Sequence, residues 1–312
     1  MARCFVFPGQ GSQTVGMGLA LAEAFPAARE VFEEVDDAIG KRLSKLMWEG
    51  PVEELNLTAN TQPALMAHSI AMLRVLEKET GLDIADARFV AGHSLGEYSA
   101  LCAARAISLS DTARLLRIRG DAMQAAVPPG KGAMAALIGI DIEGAEKAIA
   151  ETDAALGVCE VANDNAPGQV VVSGTKGRVE AVAESAKKHG AKMAKLLAVS
   201  APFHSSLMAP AADVMAEALK KTAVKTPAAP LVANVTAAEA GNAEEIRDLL
   251  VRQVTGRVRW TESVAFMATN GGDKFIEIGT GKVLAGLIKR IAKDASLISL
   301  GEPADIEAFV KF

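Results

Sequence analysis

The alternation of hydrophobic and polar positions changes period several times along the 312 residues. Residues 3–7 form a largely apolar run that ends in Pro8-Gly9-Gln10-Gly11-Ser12-Gln13, which predicts a short buried strand opening into a glycine-rich turn. A helical pattern then runs to about residue 39 and again over about 61–79, where Leu65, Ile70, Leu73 and Leu76 can share one buried face. Arg88-Phe89-Val90-Ala91-Gly92 predicts a second strand that leads through His93-Ser94-Leu95-Gly96 into a helix. Another helix, about 109–126, stops before Pro128-Pro129-Gly130.

Beyond that breaker the rhythm shortens. The pattern predicts a strand at 132–140, a helix at 142–152, strands at about 156–162 and 168–174, a helix at 176–189 and a strand at 192–199. Asn163-Asp164-Asn165-Ala166-Pro167-Gly168 is expected as the loop joining the middle two strands. This β-α-β-β-α-β order is the ferredoxin-like signature. It divides the chain into a larger domain in two parts, 1–128 and 201–312, with a subdomain inserted at 129–200. Strands near 230–235, 274–278 and 296–300 alternate with helical stretches, so the larger domain should be α/β with a mostly parallel sheet.

Composition narrows the class of protein. Half the residues are apolar and 23% are charged, as in folded globular chains rather than disordered ones. The formal net charge of −5 argues against a nucleic-acid partner, which would call for a basic surface. No apolar run is long enough to cross a membrane, and the chain reaches Pro8-Gly9 too early for a signal peptide. Cys4, Cys102 and Cys159 are odd in number and far apart, which indicates neither a disulfide frame nor a metal site. A cytoplasmic protein is expected.

The strongest chemical signal is Gly92-His93-Ser94-Leu95-Gly96, a G-x-S-x-G between a strand and a helix. The glycines permit a tight turn that exposes the serine hydroxyl, and the Leu95 amide at the helix start can donate to a developing oxyanion. The competing reading is that Ser94 only caps the helix. The strand–helix setting favours a nucleophile.

Four histidines could serve it as base. His68 lies within a helix, His93 should be turned away by the elbow, and His189 precedes Gly190 at a helix end. His204, in the loop that follows the insertion, suits a general base, the alternative being a helix-capping surface residue. The first turn fails the dinucleotide fingerprint at Thr14 and the phosphate-loop pattern at Met17. It remains a nest of amides able to bind an anion or supply a second oxyanion donor. An arginine aimed into the site could hold a carboxylate. The pattern does not separate Arg119 from Arg114 and Arg117.

Taken together, Phe7-Pro8-Gly9-Gln10-Gly11-Ser12-Gln13, Gly92-His93-Ser94-Leu95-Gly96-Glu97-Tyr98, Arg119, Asn165-Ala166-Pro167-Gly168-Gln169, His204, and Gln253 ahead of Arg259-Trp260-Thr261 give a strong resemblance. Over essentially its full length the chain resembles the malonyl-CoA:acyl-carrier-protein transacylases of bacterial fatty-acid synthesis. The resemblance implies an α/β-hydrolase-like large domain with a ferredoxin-like subdomain and a site in the cleft between them. It makes Ser94 the acyl-accepting nucleophile, His204 its base and the amides of Gln10 and Leu95 the oxyanion hole. Arg119 becomes the partner of the malonyl carboxylate.

A main-chain carbonyl at Gln253 would orient the histidine in place of an acid, with Asp213 and Asp248 still open as triad acids. Asn163, Asn165 and Phe203 are candidate substrate-cleft residues. Phe203 resembles the malonyl-preferring form of the loop, although standalone members often carry Ser before the histidine. Malonyl-CoA and acyl carrier protein are the implied partners of a monomer that has no metal and no resident cofactor. The carrier is acidic, so Lys187, Lys188, Lys192, Lys195, Lys282, Lys289 and Arg290 are candidates for a docking patch. An esterase or thioesterase, a polyketide-pathway acyltransferase and a non-catalytic carrier-binding module are the alternatives.

Overall fold

The ten strands of the computed structural model, which describes residues 2–199 and 201–312, are β1 (Arg3–Phe7), β2 (Phe89–Gly92), β3 (Gly132–Ile138), β4 (Cys159–Ala166), β5 (Gln169–Thr175), β6 (Met193–Leu196), β7 (Leu231–Val232), β8 (Val258–Arg259), β9 (Lys274–Ile278) and β10 (Ser296–Leu300). Met1 and Ser200, at the outer limits of the expected segments 1–128 and 129–200, lie outside the described residues. The strands form two sheets. The first is parallel throughout, in the order β10-β9-β1-β2-β7, with β1 at its centre.

Strand β1 shows why this sheet holds. Its side chains alternate between faces, and both faces are buried. Phe5 and Phe7 enter one core beside the helix Thr58–Thr80, while Cys4 and Val6 enter a second core with Trp260, Val264 and Met267. The helix Thr58–Thr80 is enclosed on nearly every side, and Leu65, Ile70, Leu73 and Leu76 are all buried as expected.

The second sheet has the order β6-β3-β5-β4-β8. Strands β3 to β6 are antiparallel neighbours, and two helices, Ile142–Ala150 and Lys176–Ser185, cover one face over Leu137, Val170 and Val172. The other face sends Met134 and Val171 toward the core of the first sheet. Strand β8, from the returning chain, pairs in parallel with Asn163 and Asp164 of β4 and forms the edge of this sheet.

Several boundaries differ from the sequence expectation. The helix expected up to residue 39 is two helices, Leu19–Ala24 and Pro26–Ile39, because Pro26 has no N–H to continue the first and is suited to starting the second. The short helices Leu43–Glu49 and Val52–Leu55 were not expected. Asn163–Ala166 is strand, not loop. Pairing to β5 on one side and to β8 on the other overrides the poor strand propensity of these residues, with register shifts absorbing the mismatch. The strands expected at 192–199 and 230–235 shrink to Met193–Leu196 and Leu231–Val232, and the helix 176–189 gives way to a 3₁₀ turn after Ser185.

The approach of the helix Leu95–Ala103 to the sheet depends on two glycines. A Cβ on Gly92 would lie 1.9 Å from the carbonyl of Gly96, and one on Gly96 would lie 2.2 Å from the carbonyl oxygen of Phe7. Gly96→Ala should therefore destabilise the fold by about 1–3 kcal/mol through overpacking. The gain in helix propensity, about 1 kcal/mol, opposes this and does not offset it. Denaturant unfolding of the variant checks this, and a stability equal to or above wild type would refute the steric argument.

Candidate active site

Ser94 stands between the end of β2 and the helix Leu95–Ala103 at φ 53°, ψ −109°, a conformation that side chains rarely adopt. His204 also has positive φ, 56°. The two strained residues meet, with Ser94 Oγ 2.8 Å from His204 Nε2. On its other edge the ring has Nδ1 2.9 Å from the carbonyl oxygen of Gln253 and 3.1 Å from that of Gly256. Two carbonyls can only accept, so Nδ1 carries the hydrogen and Nε2 is left with a lone pair toward the serine.

Both carbonyls belong to the C-terminal end of the helix Ala243–Thr255, where backbone oxygens lack helical partners and the dipole is negative. Among the described residues no carboxylate is in this role. Asp213 is exposed, and Asp248 is exposed and paired with Arg252. Burial, reinforced by the Arg119 charge, pushes the His204 pKa down to about 3, against the opposing effect of the two carbonyls. The ring is neutral at physiological pH.

Arg119 lies on the helix Leu109–Ala125 and is 1% exposed. Its Nη1 donates to Gln62 Oε1 at 2.7 Å, and Nη2 donates to Gln253 Oε1 at 2.9 Å and to Ser94 Oγ at 3.1 Å. Arg114 and Arg117 instead pair with Asp111 and Asp121 near the surface. Gly120 lets this helix close on its neighbour, since a Cβ there would lie 2.5 Å from the Cα of Ala59. Beneath the serine, Glu97 is 1% exposed and accepts from Gln253 Nε2 at 2.9 Å. Burial raises its pKa to about 7.

Ser94, His204 and Arg119 face a cavity of about 320 Å³ that they share with Gln10, Leu95, Asn163, Asn165 and Phe203. Every cleft residue expected from the sequence is therefore on its wall, and Gln253 lies just behind it. Residues that the sequence reading overlooked are Gln62, on the Arg119 guanidinium, and Glu97, which stood unused inside the elbow motif.

His93 corrects an expectation. It is not turned away but lines the same cavity, with Nε2 2.8 Å from Asn165 Oδ1 and its ring against Trp260. His68 is buried in its helix, and His189 pairs with Glu151. A larger groove of about 770 Å³, whose lining includes Glu146, Glu160, Arg252, Thr255, Arg257 and Arg259, holds no serine, cysteine or histidine. Among the described residues no group of three or more His, Cys, Asp or Glu could hold a metal ion, and no helix is long and apolar enough to cross a membrane.

Comparison with known proteins gives this geometry a family. Residues 4–302 match the model of the acyl transferase domain. The chain belongs to that family. Among its relatives, the malonyl CoA-acyl carrier protein transacylase of Escherichia coli (strain K12) is 48% identical over 304 residues, 97% of each chain. The crystal structure of the acyl-carrier-protein-S-malonyltransferase from Bartonella henselae is 55% identical, covers 100% of this chain and 99% of that one, and superposes with a TM-score of 0.96. A further structure, 44% identical with a TM-score of 0.96 and the same coverage, holds a malonyl-transacylase in complex with a type II PKS acyl-carrier protein.

For this acyl transferase the buried carboxyl makes a pH prediction. The Glu97 pKa is raised in the folded state, so its contribution to stability is full below about pH 4.5 and is lost as pH rises through about 7. His204 has the opposite sign, since its lowered pKa removes stability as pH falls below 6.5 toward 3. The difference between Glu97→Gln and wild type isolates the carboxyl. From pH 4.5 to 7.5 the unfolding free energy of the variant should gain about 3 kcal/mol on wild type. A constant difference measured by denaturant unfolding would refute the raised pKa.

Proposed function

We propose that this acyl transferase moves the malonyl group of malonyl-CoA to the phosphopantetheine thiol of an acyl carrier protein through a malonyl ester on Ser94. Its relatives at 44–48% identity bear the name of that activity. One feature of the site carries the reading: a guanidinium shielded from water and 3.1 Å from the nucleophile. A substrate with a free carboxylate near its thioester would supply the anion that Arg119 lacks.

In this reading Ser94 Oγ attacks the thioester carbonyl as its proton passes to His204 Nε2. The amides of Gln10 and Leu95 stabilise the tetrahedral oxyanion. Collapse expels the CoA thiol, which takes the proton back from His204. The pantetheine thiol then attacks the ester, gives its proton to His204, and Ser94 recovers it on leaving. Phe203, Asn163 and Asn165 bound the acyl pocket, with Phe203 favouring malonyl.

The carbonyls of Gln253 and Gly256 hold the His204 tautomer where a triad acid would otherwise do so, and the CoA thiol, which ionises near pH 8.5, leaves with little help from an acid. No cofactor or metal takes part. We assign 129–200 to a ferredoxin-like subdomain set into a hydrolase-like domain formed by 1–128 and 201–312. The strand order β6-β3-β5-β4 and the parallel sheet centred on β1 support that division. A monomer in the cytoplasm completes the reading.

Intact mass after incubation with malonyl-CoA tests the ester. Wild type should gain one malonyl group that carrier protein removes, and Ser94→Ala should gain none. Loss of the adduct without carrier protein would indicate a hydrolase. Arg119→Ala should lower kcat/KM for malonyl-CoA by at least about 100-fold, the scale expected when a buried charge loses its partner, while acetyl transfer persists. Unchanged malonyl transfer would remove Arg119 from its role.

For docking, Lys192 and Lys195 are exposed, whereas Lys187 pairs with Glu184 and Arg290 bonds Gln169. Charge reversal at Lys192 and Lys195 should raise the carrier-protein KM several-fold and flatten its salt dependence. Unchanged values would exclude this face.

A further inference from the structure

Ser94 is held in its strained conformation by something other than its own turn. Flanking it are two backbone groups that need partners, the carbonyl of Gly92 and the N–H of Ser94. Both are met by one side chain from a distant loop. Asn234, which follows β7 and is fully buried, accepts from Ser94 N at 2.8 Å through Oδ1 and donates to Gly92 O at 2.7 Å through Nδ2. The two contacts fix the orientation of the amide, because only oxygen can meet the N–H and only NH₂ can meet the carbonyl.

The loop is itself anchored. The backbone N–H of Asn234 donates to Glu97 Oε2 at 2.9 Å, and its carbonyl accepts from Arg259 N at 3.0 Å. Gln253 completes the enclosure by donating from Nε2 to Ser94 O at 3.0 Å and to the same Glu97 oxygen.

We infer that Asn234 is a positioning residue for the nucleophile: its side-chain amide takes the place of a peptide group across the elbow and holds Ser94 Oγ in line with His204 Nε2. A primary amide presents a donor and an acceptor side by side without having to bind a proton. Aspartate would set an oxygen against the Gly92 carbonyl, and leucine would leave both backbone groups unpaired in a buried site. The inference rests on the reading of Ser94 as nucleophile, but Asn234 touches no substrate in it. Its loss should therefore lower turnover and leave binding alone.

The test compares Asn234→Ala with Val264→Ala, a buried change in the core behind the sheet chosen to report on general destabilisation. A serine-reactive fluorophosphonate reads the alignment of Ser94 without malonyl-CoA. Its reaction with Asn234→Ala should be at least tenfold slower than with wild type, and its reaction with Val264→Ala should be unchanged at temperatures where circular dichroism shows both variants folded. With malonyl-CoA, kcat of Asn234→Ala should fall by a similar factor while KM stays within threefold.

Equal labelling rates in Asn234→Ala and wild type, or equal slowing in both variants, would overturn the inference. So would a loss that appears only in KM. A wild-type protein that the probe labels but malonyl-CoA does not would defeat the functional proposal and leave the positioning role standing. A wild type that neither the probe nor malonyl-CoA acylates would defeat both.

Discussion

A guanidinium is closed off from water with only neutral oxygens to receive it. Arg119 donates to two glutamine carbonyls and a serine hydroxyl and makes no ion pair among the described residues. Removing such a charge from water costs several kcal/mol, even after relaxation, and the fold meets that cost with three preset acceptors rather than a carboxylate. Glu97 is near enough to feel the charge, yet burial raises its pKa to about 7. The surroundings thus tolerate the cation without neutralising it. A permanent Asp or Glu partner would stabilise Arg119 better and would also compete with any incoming anion.

The same shielding acts on His204. Burial and Arg119 both disfavour imidazolium, so His204 waits as a neutral acceptor with its tautomer set by the end of a helix. A buried aspartate in that place would raise the histidine's affinity for protons and add a charge beside a guanidinium already bound to the serine. Carbonyls orient the ring without doing either. A neutral imidazole 2.8 Å from Ser94 Oγ can accept a proton without first losing one of its own.

Much of this was legible in the chain because some of the chemistry is local. Ser94 and its two glycines lie within five residues, and β1 is a single apolar run. Other parts depend on contacts that sequence distance conceals. Gln253 orients His204 through a backbone oxygen, which leaves no trace in residue type, so only family resemblance pointed to it. Asn163–Ala166 carries the residues of a loop and is strand because β5 and β8 border it. His93 faces the cavity because Asn165 and Trp260, both remote in sequence, receive it. Asn234 had no motif to mark it, only a position after a two-residue strand.

These distant contacts share a physical reason. A serine turn at positive φ is strained by itself, and the Gly92 carbonyl beside it is buried and needs a partner. The turn therefore has to draw partners from elsewhere in the chain. They come from the segment after β6, where Asn234 and Gln253 converge on Glu97 and on the backbone around Ser94. Strand β8 leaves that same segment to pair with β4, so the chain that braces the elbow also fixes the second sheet above it. The stretch of chain that pairs the backbone around the strained serine also supplies β8, so the second sheet is completed by a strand from outside Gly132–Leu196.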